Sequence, residues 1–118
     1  FTKRVSTNDS VSIEAEVVTD ERHIGLQGSI FVLVGLQGQG LYQLNELGEL
    51  EKWDGTLEGL IAFSGKRELR NLEHLTIMDG FRFGEAFSDQ KLVVYIAYSV
   101  ESSGELVYTR EPYLLSIE

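Results

Sequence analysis

The sequence predicts an all-β domain, a sandwich or barrel of about eight or nine short strands. Three observations carry this. "VSIEAEVV" alternates strictly, with Val11, Ile13, Ala15 and Val17 on one face and Ser12, Glu14 and Glu16 on the other, the period of a half-buried strand. "GSIFVLVG" is a short apolar run with glycine at each end, which reads as a central strand. Turn signals then recur at short intervals along the chain.

Taken in order, "FTKRVSTNDS" is polar and unpatterned. It is expected as an arm or linker over 1–10, leaving one sandwich domain over 11–118. After the run from Gly28 to Gly35, "GLYQLN" and "ELEKW" flank "NELG". Asn45 and Gly48 suit a turn, so Tyr42 to Trp53 reads as a hairpin. "GLIAFSG" (Gly59 to Gly65) and "LEHLTIMDG" (Leu72 to Gly80) are two further expected strands. Between them "GKRELRNLEHL" places Leu69, Leu72 and Leu75 near helical spacing, but over too few residues for a stable helix. Lys91 to Glu101 is rich in β-branched and aromatic residues. "SSGE" turns the chain at Ser102 to Glu105, and Pro112 marks a break or edge before "YLLSIE".

Composition excludes several functions. The chain has 118 residues, 42% hydrophobic and 25% charged, the balance of one globular domain. Its formal net charge of −9 repels phosphate backbones and anionic membranes, so neither nucleic acid nor membrane insertion is expected. Cysteine is absent, which removes disulfides, thiol catalysis and thiolate metal sites. The longest apolar run, "IFVLVGL", is far short of the ~20 residues of a membrane helix. The chain begins at Phe1 rather than Met, which predicts a processed protein or a piece of a longer one.

From Ile24 onward the order of features resembles immunoglobulin-like sandwich modules of large bacterial secreted or surface proteins. The resemblance covers Ala15 to Ile117, and the stretches that carry it are "HIGLQGSIFVLVG", "LYQLNELGELEKWDG", "LEHLTIMDG" and "VVYIAYSVESSGELVYTREPYLLSIE". It implies an immunoglobulin-like antiparallel β-sandwich, secreted or at the cell surface. It brings no catalytic residues. The region "DGFRFGEAFSDQ" departs from the pattern, being longer and more polar.

Few residues compete for a functional role. Trp53, the only tryptophan, has two readings. Its expected role is packing, with its N–H bonded to one partner. The alternative is a sugar platform extended by Tyr42, with Asp54, Glu51 or Asn45 bonding hydroxyls. Alternation places Trp53 with Glu49 and Glu51 on one strand face, and Leu50, Lys52 and Asp54 on the other. Tyr95 and Tyr98 lie on opposite faces of a strand that is apolar on both, so both are expected in the core. Tyr108 or Tyr113, near Pro112, is the candidate for a corner tyrosine bonded to backbone.

No cofactor or metal is expected. Calcium finds acids in "TDERH", Asp54-Gly55 and Asp79-Gly80, but no D-x-D-x-D-G loop exists. His23 and His74 have no zinc spacing. No G-x-S-x-G elbow, S-x-x-K at Ser64 or phosphate-cradling loop is present.

The expected function is therefore a non-catalytic structural or adhesive module of a bacterial exported protein. Its partners would be other protein domains or copies of itself. Two alternatives stand. One is a filament subunit, built by strand addition at Val11 to Val18. The other is a carbohydrate-binding module using Trp53 and Tyr42, with glycans as partners.

Overall fold

The computed structural model describes residues 2–37, 40–108 and 112–117. Ten strands lie among them: β1 (Thr2–Val5), β2 (Val11–Val18), β3 (Gln27–Leu36), β4 (Gly40–Leu44), β5 (Leu50–Lys52), β6 (Ser64–Glu68), β7 (Leu72–Phe81), β8 (Lys91–Val100), β9 (Glu105–Tyr108) and β10 (Tyr113–Ile117). The only helices among the described residues are single 3-10 turns at Glu21–His23 and Glu85–Phe87.

The strands form two sheets, the layers of a β-sandwich. The large sheet runs β1-β10-β8-β3-β4-β5, with β6 beside the first half of β3 and β9 beside the second half of β8. The small sheet is the antiparallel pair β2-β7. Every pairing is antiparallel except β1 with β10.

Alternation along each strand builds the core. β2 turns Val11, Ile13, Ala15 and Val17 inward, as its sequence predicts. β3 contributes Ile30, Val32, Val34 and Leu36, and β8 contributes Leu92, Val94, Ile96, Tyr98 and Val100. All belong to one buried cluster that β10 extends with Leu115 and Ile117. Burying each such aliphatic side chain stabilises the fold by roughly 1.5–3 kcal/mol. On β7 the register shifts between Ile13–Met78 and Glu14–Thr76, so Ile77 is an extra residue. That bulge lets consecutive Ile77 and Met78 both be buried.

Two polar nodes join the layers. Glu73 occupies a core-facing position opposite Val17 and is 1% exposed. Its carboxylate accepts from the guanidinium of Arg67 on β6 and from the Arg70 backbone N–H at 2.8 Å. The Arg70 guanidinium stands 3.4 Å away. Desolvation, and then the neighbouring Arg70 charge, hold the Arg67 pKa below its ordinary value. The second node is the Tyr98 hydroxyl, which accepts from the Asp20 backbone N–H at 3.2 Å and meets His23 Nδ1 at 2.8 Å. Tyr98 is thus a tyrosine bonded to backbone, while Tyr108 is half-exposed on the opposite face of the sheet.

Three expectations change. The stretch 1–10 is not simply an arm: Thr2–Val5 pairs with β10, and Val5 is buried in the core. One apolar residue among polar ones leaves no periodic signal, so tertiary pairing decides this strand. The strand expected over Gly59 to Gly65 lies instead at Ser64–Glu68, because Gln43 pins the preceding residues as a loop. The leucines near helical spacing fall on the junction of β6 and β7.

Glu73→Ala leaves the partly buried Arg67 without its counter-charge, and denaturant unfolding is expected to show a loss of about 1–3 kcal/mol. Gly28→Ala places a Cβ against the Ser99 carbonyl and the Leu69 side chain. The same measurement is expected to show a cost of about 1–3 kcal/mol from that overpacking.

Candidate functional site

The pleat that sends one set of residues inward sends the alternate set outward. On β3 the outward set is Phe31, Leu33 and Gly35, and on β8 it is Val93, Tyr95 and Ala97. The register aligns them as Phe31–Ala97, Leu33–Tyr95 and Gly35–Val93. Leu41 lies beside Gly35, Leu114 beside Val93 and Tyr108 beside Ala97. The outer face of the large sheet is therefore apolar and aromatic. Much of it is open: Leu41 is 45% exposed, Tyr95 41%, Tyr108 50% and Leu114 40%. The outer face of the small sheet differs. It carries Ser12, Glu14, Glu16, His74 and Thr76, with His74 Nε2 3.8 Å from Glu14 Oε2, and among the described residues only the Val18–Leu72 pair at its end is apolar and exposed.

A loop covers part of the large outer face. Gln43 points outward from β4 yet is only 1% exposed, because residues 59–61 cross over it. Its amide donates to the Gly59 carbonyl and accepts from the Ile61 N–H, each at 2.8 Å. Trp53 stands at the border of the covered region. Its backbone N–H donates to Leu41 O at 3.0 Å and its indole N–H to Thr56 O at 2.8 Å. Asp54 shapes that turn, its Oδ1 accepting from the Thr56 N–H at 2.9 Å and from the Thr56 hydroxyl at 2.7 Å. These bonds hold the Asp54 carboxyl below its ordinary pKa. Gly59 lies directly under the same carboxylate, where any Cβ would collide with it.

Two depressions open on this face. One, of about 240 Å³, is lined by Trp53, Leu33, Val34, Gly35, Leu41, Tyr95 and Tyr108. The other, of about 810 Å³, is lined by Gly35, Leu41, Val93, Tyr95 and Leu114, with Gln37, Lys91 and Ser116 among the polar groups. They share Gly35, Leu41 and Tyr95, so they form one groove with Gly35 in its floor. Among the described residues Lys91 is the only charged one lining either.

The structure sorts the candidates named from sequence. Trp53 and Glu51 do share the outer face, with Glu51 opposite Gln43. Tyr42 does not join them. It pairs with Lys52 and packs against the core from the inner face, because the hairpin register sets Leu41, not Tyr42, beside Trp53. The Asp54 carboxylate is occupied within its own turn. Asn45 is likewise occupied, its Oδ1 accepting from the N–H groups of Leu47 and Glu49. Tyr95, expected in the core, is on the open face. Tyr95, Tyr108, Leu114 and Gly35 complete the groove. Their signal in the sequence was a strand apolar on both faces, which burial of both faces explained equally well.

The nearest approach to a catalytic arrangement is Tyr98–His23–Glu105. His23 Nε2 is 2.7 Å from Glu105 Oε2, and His23 is 6% exposed. A carboxylate partner calls for a proton on Nε2, while Nδ1 meets the Tyr98 hydroxyl. This chain ties the Glu21–His23 turn to β8 and β9 and presents no nucleophile to solvent. Among the described residues no three His, Asp or Glu side chains are placed to hold a metal ion. Comparison of the chain with known protein families, curated proteins and solved structures finds no match.

The Trp53 turn is expected to depend on the ionised Asp54 carboxyl. Its depressed pKa means the contribution is present above the ordinary value of 3.8 and is lost as pH falls through the lowered folded value. Trp53 emission is expected to shift to longer wavelength over that acid range, and to be shifted already at pH 7 in Asp54→Ala. An Asp54→Ala spectrum identical to wild type at pH 7 contradicts this.

Proposed function

We propose that the chain is a non-catalytic binding module whose working surface is the outer face of its large sheet. The observation that carries this reading is the asymmetry of the sandwich. The small sheet's outer face is largely polar and charged, whereas the large one exposes Leu41, Tyr95, Tyr108 and Leu114 around a fixed Trp53. Contiguous exposed apolar surface on a soluble fold marks interaction sites. Among the described residues the Asp54 carboxylate, the acid next to Trp53, is engaged within its own turn, which favours binding over chemistry at this face.

The reading extends to an immunoglobulin-like adhesive or structural module of a bacterial exported protein, as the resemblance implies. Two topological facts support that finer placement: the first strand runs parallel to the last, and the second sheet is formed by β2 and β7. Filament assembly by strand addition draws support from one observation. Among the described residues β2 pairs only with β7, leaving its other edge without a strand. The strand expected to pair across subunits, Val11–Val18, is however already paired along one edge with its own β7, and Thr2–Val5 of the preceding segment with its own β10.

The test is a paired substitution, Tyr95→Glu with Leu114→Glu. Beads carrying the wild-type chain are expected to retain isolated bacterial surface material, and the double variant to lose at least about tenfold of that retention. Both sites are exposed, so stability is expected to change by less than about 1 kcal/mol. Equal retention by the double variant, or loss on Glu14→Lys in the other sheet, defeats the proposal.

A further inference from the structure

Resting on that reading of the outer face, we infer that its occupant is an uncharged polysaccharide, laid across Gly35 between Trp53 and Leu114. Charge narrows the choice first. The chain carries a formal net charge of −9, yet among the described residues the groove is lined by a single charged one, Lys91. Nucleic acids and anionic polymers meet the repulsive field of the whole molecule. A second copy brings another −9 against the first. A cationic polymer is drawn to the acid-bearing surfaces elsewhere, not to this neutral stripe. The partner that matches a neutral groove is itself neutral.

Shape narrows it next. The groove is open along its length and passes over Gly35, whose backbone is ordinary strand. A Cβ there would meet only Val93 O at 3.9 Å and Leu41 Cδ2 at 4.0 Å. The fold therefore does not require glycine at this point. Its missing side chain leaves a depression that a larger residue would fill.

The chemistry of the walls fits a sugar. A pyranose has an apolar face of C–H groups and a rim of hydroxyls. Aromatic side chains offer the matching apolar body, and the Tyr95 and Tyr108 hydroxyls and the Gln37, Lys91 and Ser116 polar groups can meet the rim. Trp53 spends its indole N–H on Thr56. Its ring is thus held before any ligand arrives, which reduces the ordering cost of binding.

Affinity electrophoresis of the full chain in gels containing soluble β-glucan, xylan, mannan or galactan tests the inference, with hyaluronan and dextran sulfate as anionic arms. Retardation by at least one neutral polymer is expected, with a shift of Trp53 emission on its addition. Tyr95→Ala and Gly35→Leu are each expected to weaken binding at least tenfold. Gly35→Leu leaves Trp53 and its turn in place, so its loss of binding does not depend on a damaged loop. The inference is overturned if no neutral polymer retards the chain, if only the anionic arms do, or if Gly35→Leu binds as wild type. If it falls while Tyr95→Glu with Leu114→Glu still abolishes bead retention or self-association in sedimentation, the surface reading stands without it.

Discussion

The pairing of β3 with β8 is the constraint on which the rest depends. It runs unbroken from Gly28–Val100 to Leu36–Leu92, the longest ladder in the molecule. Both strands are apolar at nearly every position. Because side chains alternate across a sheet, no register can bury all of them under one layer. The small sheet covers Ile30, Val32, Val34, Leu92, Val94 and Ile96. The alternate set, Phe31, Leu33, Val93, Tyr95 and Ala97, then faces outward by geometry alone. The open apolar face and the core are two consequences of one ladder.

The outward set is only partly covered. Gln43 draws the loop of residues 59–61 across β4, and the Asp54 turn sets Trp53 at the loop's border. The remaining half, around Gly35, Tyr95 and Leu114, keeps its exposure. Meanwhile several ionisable groups tie elements of the sandwich together. Glu73 couples β6 to β7 through Arg67, and His23 couples the Glu21–His23 turn to β8 and β9. Asp20 caps that turn and pairs with Arg22, whose hydrogen bonds lower its pKa to about 2. Polar side chains engaged in this way tie the elements of the fold to one another.

Much of this was legible from residue order. Strict alternation located β2 to the residue, and Asn45 and Gly48 marked the first hairpin turn. The faces of "ELEKW" were also correct, with Trp53 and Glu51 on one side. What was not legible was which strand lies beside which face. Tyr42 and Trp53 are near in sequence and both aromatic, yet the register places them on opposite sides of the sheet. Tyr95 and Tyr98 looked alike because each sits among apolar neighbours. One faces the small sheet and the other faces solvent.

The sequence by itself determined the class, the strand-forming segments and most turns, because periodicity and turn chemistry are local properties of the chain. It also determined the net negative charge that disfavours anionic partners. The tertiary structure alone decided that Thr2–Val5 joins the large sheet, that residues 59–63 form a loop, and that one apolar face stays open. Those outcomes depend on how much of a large sheet the two strands β2 and β7 and a single loop can cover. That is a matter of layer area and register, and no window of sequence contains it.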